Sequence, residues 1–181
     1  AGGNRVLKLM RRRHTIEEYL DKVRYMRSIN PHIEISTDII VGFPTETEEE
    51  FAWTLRVMEE VRFSQIFAFK YSVRPGTRAA KMEDDVPREV KETRLAQVLG
   101  LQERITGEQL RALAGTTHEV LIDGAHLRQQ GVMNGRTEGF RPVSVPGPEL
   151  EIGDLVDVRI TGFRNHWLEA ERLTGATAPA R

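Results

Sequence analysis

At Gly115 the sequence changes texture, and that change constrains the fold more than any composition figure. Before it, β-branched runs alternate with helical repeats. After it come five short alternating runs, residues 118–123, 131–136, 140–145, 155–161 and 166–173, separated by Gly, Pro and Asn turns. Alternating α and β units build a parallel sheet with right-handed crossovers, whereas five short strands in about 60 residues build a small antiparallel β-barrel of the oligonucleotide-binding kind. The expected fold class is therefore α/β plus all-β. An α/β domain with a long connecting helix covers residues 1–114 and a β-barrel covers 115–174, while the Gly, Ala, Thr and Pro of 175–181 predict a disordered tail.

Within the first domain, Thr15-Ile16-Glu17-Glu18 is a capping box, and Ile16, Tyr19, Leu20, Val23 and Met26 follow at helical spacing, which predicts a helix over 15–29. Residues 33–41 are rich in β-branched side chains and end in an apolar run, the pattern of a parallel strand covered on both faces. A second capping box, Thr47 to Glu50, opens a helix carrying Phe51, Leu55, Met58 and Val61, and 64–71 predicts another strand. A long helix from Pro87 runs towards Gly115, with Gly100 and Gly107 weakening its middle. Two strands cannot close a parallel barrel, so the domain reads as the later half of a (β/α) barrel. Its site is expected beyond the C-terminal strand ends, at residues 38–46 and 71–76.

Composition narrows the chemistry. The chain has 181 residues and no cysteine, which removes disulfides, thiolate catalysis and any cysteine-held zinc or iron–sulfur site from these residues. The densest apolar run, Ile39 to Phe43, is five residues long, far short of the roughly 20 of a membrane helix. A cytoplasmic setting is the default, and the opening Ala-Gly-Gly-Asn reads as the start of an excised piece. The five histidines show no i, i+4 pair, and neither a Gly-x-Ser-x-Gly elbow nor a phosphate loop occurs, so hydrolytic chemistry and nucleotide hydrolysis are disfavoured. Residues 1–13 carry five cations and no acid, the pattern of a solvated face or a phosphate-facing surface.

Asp38 interrupts an apolar strand and requires partners. A ribose diol would satisfy it, as would a neighbouring strand end, and Ser36 lies on the same face. Gly42-Phe43-Pro44-Thr45-Glu46 forms a strand-to-helix turn where a ligand ring can approach the backbone. In the barrel, Arg136, Thr137 and Arg141 flank a turn where they can grip phosphate, and Phe140, Phe163 and Trp167 are stacking platforms or core. Residues 115–174 hold six arginines and nine acids, so the module is net acidic.

The strings Asn4 to Arg12, Ser36 to Phe51 and Tyr71-Ser72-Val73-Arg74-Pro75-Gly76-Thr77 together resemble the radical S-adenosylmethionine methylthiotransferases, most closely the MiaB type that acts on N6-isopentenyladenosine of tRNA. The resemblance spans residues 2–173 and makes the barrel a TRAM domain. It implies a barrel enzyme with two [4Fe–4S] clusters held by cysteines outside this segment, which is then inactive alone. One cluster cleaves S-adenosylmethionine to a radical that opens the adenine C2–H bond for sulfur insertion, and a further S-adenosylmethionine gives the methyl group.

It further implies that Arg12 meets the methionine carboxylate, that Ser36 and Asp38 meet the ribose, and that Val41, Gly42, Phe43 and Tyr71 meet the adenine. Arg136, Thr137 and Arg141 would contact RNA. These are positioning roles, so no residue here is assigned as catalytic or metal-binding. The implied partners are a tRNA anticodon stem-loop and a sulfur donor, with the protein monomeric. Alternatives are the sister enzymes acting on threonylcarbamoyl-adenosine or on a ribosomal protein, and a non-catalytic RNA-binding module. Thr45 stands where the family usually has glycine.

Overall fold

The computed structural model describes residues 1–178, with side chains to residue 173, as two compact units, Ala1–Ile105 and the residues from Thr106 onward. In the first unit, α1 (Asn4–Leu9), α2 (Ile16–Ile29), β1 (Ser36–Val41), α3 (Glu48–Val61) and β2 (Gln65–Lys70) precede α4 (Arg88–Ala112). The basic opening segment is helix α1, which buries Val6 and Leu7 and exposes Arg5 and Lys8. Both capping boxes form: Thr15 accepts from the Glu18 amide and Thr47 from the Glu50 amide, each acid returning to the cap amide.

Strands β1 and β2 pair in parallel, Ser36 with Gln65 through to Val41 with Lys70. Alternation sends Ile39 and Val41 into a core with Phe51, Met58, Val61, Phe63, Val98 and Ile105. Each such side chain contributes about 1.5–3 kcal/mol on burial. The expectation of a strand covered on both faces is corrected. The opposite face of the sheet is open, with Ile40, Phe67 and Phe69 at 37%, 49% and 53% exposure, because two strands leave nothing to close over it.

Helix α4 runs unbroken through Gly100 and Gly107. Two glycines cost it about 2 kcal/mol together, which burial of Val98 and Ile105 in the first core and Leu110 in the second offsets. The boundary expected near 115 therefore falls earlier, within the helix, since its last turn belongs to the barrel core. The second unit is a closed five-stranded barrel in the order β3 (Thr117–Ala125), β4 (Val132–Thr137), β5 (Pro142–Pro146), β7 (Trp167–Ala178), β6 (Leu155–Arg164). Antiparallel β3–β6 pairing and a short parallel β5–β7 pair, Val143 with Leu168 and Ser144 with Glu169, complete the circuit. Val120, Ile122, Val143, Val145, Val156, Val158, Ile160 and Leu168 fill it.

The disordered tail expected from 175 is corrected for residues 175–178: β7 continues to Ala178 because the start of β6 offers partners, pairing Val156 with Thr177 and Leu155 with Ala178. Residues 179–181 lie outside the described residues. No helix among the described residues is long and apolar enough to cross a membrane.

Candidate cofactor site

The turn after β1 is built around Gly42. Its φ of +67° lies in the left-handed region, and a Cβ there would sit 2.3 Å from Lys91 Cγ, so both backbone and space demand glycine. The Gly42 amide donates to the Glu46 carboxylate at 2.7 Å, closing the turn. Glu46 is 5% exposed and also accepts from Arg94 at 2.9 Å. Arg94 donates in addition to the Glu46 carbonyl and to the Glu48 carboxylate, and its guanidinium lies 5.2 Å from the Phe51 ring centre. Burial pushes the Glu46 carboxyl above the ordinary range, opposed by the Gly42 amide and the Arg94 charge.

Beyond β2, the Tyr71 amide donates to the Val41 carbonyl at 2.9 Å, extending the strand pairing by one residue. Its ring meets Phe43 edge-on at 5.3 Å. Lys91 runs behind both: its stem fills the space that Gly42 leaves, its ammonium lies 5.3 Å from the Tyr71 ring centre, and it donates to Asp84 at 2.5 Å. The Tyr71 hydroxyl is buried with no partner among the described residues, and burial, followed by the Asp84 charge, raises its pKa. Tyr71, Ser72, Asp84 and Lys91 line a groove of about 500 Å³ at this end of the sheet.

Thr45, the departure from the resembled pattern, has φ +67°, an uncommon conformation for a β-branched residue. Three bonds hold it. Arg5 donates to its hydroxyl at 2.8 Å and to its carbonyl at 2.5 Å, and its amide donates to Asp85 at 2.7 Å. Arg5 is itself paired with Glu50 at 2.6 Å.

The open sheet face carries Ser36 and Asp38, both exposed, opposite Gln65 and Phe67. At roughly 3.3 Å per residue, Asp38 lies about 10 Å along the strand from Val41, within the span of an adenosyl group, whereas Ser36 lies about 17 Å away. The structure thus groups Val41, Gly42, Phe43 and Tyr71, sets Asp38 within reach, and leaves Ser36 at the far end of β1. The Val41 side chain points into the helix-covered core, leaving its backbone to the turn. Arg12 follows α1 with an exposed side chain.

In the barrel, Thr137 and Arg141 are buried, at 7% and 9% exposure. The Thr137 hydroxyl accepts from the Arg141 amide at 3.2 Å, and the Arg141 guanidinium donates to Gln109 at 2.9 Å. Arg136 is exposed and pairs with Asp123 at 2.8 Å. All three residues hold the β4–β5 turn together. Sequence reasoning missed Arg94, whose carboxylate partners lie more than 40 residues away, Lys91, which packs on the equally distant Gly42, and Arg5; the available signal was that Lys91 and Arg94 share a helical face with Val98 and Ile105.

Residues 1–58 match the Radical SAM superfamily model and residues 111–173 the TRAM domain model. Over most of its length the chain is similar to proteins named tRNA-2-methylthio-N(6)-dimethylallyladenosine synthase. That of Protochlamydia amoebophila is 44% identical over 93% of this chain and 37% of its own length. That of Syntrophobacter fumaroxidans is 44% identical over 96% and 38%, and that of Aeromonas hydrophila 41% over 99% and 39%. The chain spans less than two fifths of the length of these relatives. Two family matches, radical SAM and then TRAM, thus follow the order of the two units and coincide with similarity of nearly the whole chain to these synthases.

Proposed function

We propose that the chain is the C-terminal part of a cytoplasmic tRNA methylthiotransferase that places a methylthio group on C2 of N6-isopentenyladenosine beside the anticodon. The observation that carries this reading is the collinear similarity of nearly the whole chain, both units included, to relatives whose names state that reaction. The open sheet face supports it: apolar rings and one carboxylate stand exposed where a barrel would have its interior.

The residues fit an adenosyl group. Asp38 offers a carboxylate on the open face for a ribose diol, and the backbone of the Gly42 turn and the start of Tyr71, at the C-terminal ends of the two strands, stand where an adenine would lie. They do not include ligands for a [4Fe–4S] cluster, since the chain has no cysteine. When bound, S-adenosylmethionine and the clusters would supply the radical, sulfur and methyl chemistry. The work of this chain is to orient. Arg94 and Glu46 hold the Gly42 turn in its left-handed conformation, Lys91 backs Gly42 and Tyr71, and Asp38 fixes the sugar. The barrel engages the tRNA, and a separate sulfur donor completes the partners of a monomeric enzyme.

The test is a chimera in which this chain replaces the matching segment of the Aeromonas hydrophila relative, introduced into a strain that lacks the modification. Mass spectrometry of tRNA nucleosides should show the methylthio product. Asp38→Ala in the chimera should weaken S-adenosylmethionine binding by about 1–3 kcal/mol, the range for a lost charge-assisted bond. A cluster-loaded chimera that modifies threonylcarbamoyl-adenosine instead, or no adenosine at all, refutes the assignment.

A further inference from the structure

The barrel carries a groove whose lining includes none of Arg136, Thr137 and Arg141. It lies between the β3–β4 loop and the β6–β7 turn, has a volume of about 660 Å³, and is lined among others by Arg128, Asn134, Arg164, Trp167 and Glu169. We propose that this groove binds unpaired nucleotides of a single-stranded RNA, with a base against Trp167 and the flanking phosphates near Arg128 and Arg164. The proposal rests on the tRNA-handling role given to the barrel above and names the surface that performs it.

Four observations carry it. First, the charge reverses locally. Residues 115–174 hold six arginines and nine acids, yet two of those arginines line the groove and only one acid, Glu169, does so. Glu169 lies 3.3 Å from Arg164 Nε, so one ion pair accounts for it. A polyanion is thereby directed to this face of an otherwise acidic module.

Second, Trp167 is 37% exposed beside the groove although the barrel core is complete without it. An indole in contact with solvent at the edge of a cationic groove offers stacking to any base. Third, the walls are fixed. Arg164 pairs with Trp167 across a two-residue turn whose residues, Asn165 and His166, both have positive φ, at +49° and +66°. This is the tight hairpin turn whose twist matches the strands, and it holds arginine and tryptophan side by side. On the other wall, His126 Nδ1 accepts from the amides of Arg128 and Gln129 at 3.2 and 3.1 Å, pinning the loop.

Fourth, Asn134 Oδ1 is a buried acceptor with no donor among the described residues, while its Nδ2 donates to the Ala125 carbonyl. A base N–H reaching the groove floor would satisfy it.

The test uses the 181-residue chain with Trp53→Phe, so that Trp167 alone fluoresces. Titration with a single-stranded RNA nonamer should quench the indole, with binding weakening as salt rises. Trp167→Ala, followed by the anisotropy of a fluorescein-labelled nonamer, should raise Kd about tenfold, the effect of losing one base–aromatic stack. Trp167→Phe should keep Kd within about threefold, because a phenyl ring still stacks. Binding of the nonamer without quenching, at a Kd that Trp167→Ala leaves unchanged, overturns the groove while sparing the RNA-handling role. Failure of the parent chain to bind the nonamer or a tRNA anticodon stem-loop overturns both.

Discussion

Replacing Thr45 by glycine should stabilise the first unit more than replacing it by alanine, the reverse of the usual order. At an ordinary loop position glycine is less stable than alanine by about 0.4–1 kcal/mol, since it frees the unfolded chain. Thr45 has φ +67°, a conformation that costs an L-residue about 1–2 kcal/mol and glycine almost nothing. Alanine keeps that strain and also loses the hydroxyl that accepts from Arg5 at 2.8 Å. Both variants keep the backbone bonds to Arg5 and Asp85, so these cancel in the comparison.

The difference is strain relief less glycine entropy, about 1 kcal/mol in favour of glycine. For a unit of this size that corresponds to a separation of about 4–8 °C in Tm. The assay is urea unfolding followed by Trp53 in a Trp167→Phe background, which isolates the first unit from the barrel, with the m-value required to stay constant. Equal midpoints, or a higher midpoint for alanine, would refute the argument that the left-handed turn is strained.

Two further outcomes follow from the ion pairs. Arg94→Met should cost the first unit about 3–5 kcal/mol, because it leaves the Glu46 carboxylate, at 1% side-chain exposure, buried without its cation; urea unfolding checks this, and a cost below about 1 kcal/mol would contradict it. Hydrogen bonds from Arg88 at 2.8 Å and then Lys70 at 3.0 Å hold the Glu92 carboxyl below its ordinary 4.5. The stabilisation is therefore complete above 4.5 and lost as pH falls through the lowered value. Carbon-detected NMR of the Glu92 carboxyl should show a midpoint under 4.5 that rises in Arg88→Ala, and a midpoint at or above 4.5 in the parent would contradict the pairing.

Local signals were legible in the sequence. Thr15 and Thr47 announced their helices through a three-residue spacing, and the alternation of Val120, Ile122, Val156, Val158 and Ile160 announced the barrel. What was hidden depends on contacts distant in sequence. An apolar run at Ile39-Ile40-Val41 reads the same whether or not a second layer covers Ile40, so the open face was invisible. Arg136, Thr137 and Arg141 stand out by residue type and by their place at a turn, and nothing local signals that Gln109 draws the Arg141 guanidinium inward. Arg94 and Lys91 looked like surface charges because Glu46 and Gly42 lie across the fold. The glycine-to-threonine departure at position 45 was legible, but its strain was not, because φ depends on where Arg5 and Asp85 stand.

Helix α4 has a practical corollary for anyone excising the barrel. The TRAM match begins at residue 111, one position after Leu110, which is 1% exposed in the barrel core, and two after Gln109, which anchors Arg141. A fragment cut at the family boundary would lack its own stopper: the barrel would lose an aliphatic side chain from its core, and a nearly dry guanidinium would lose one of its hydrogen bonds. The natural severing point lies at least one helical turn earlier, so the module that folds is longer than the one its sequence signature outlines.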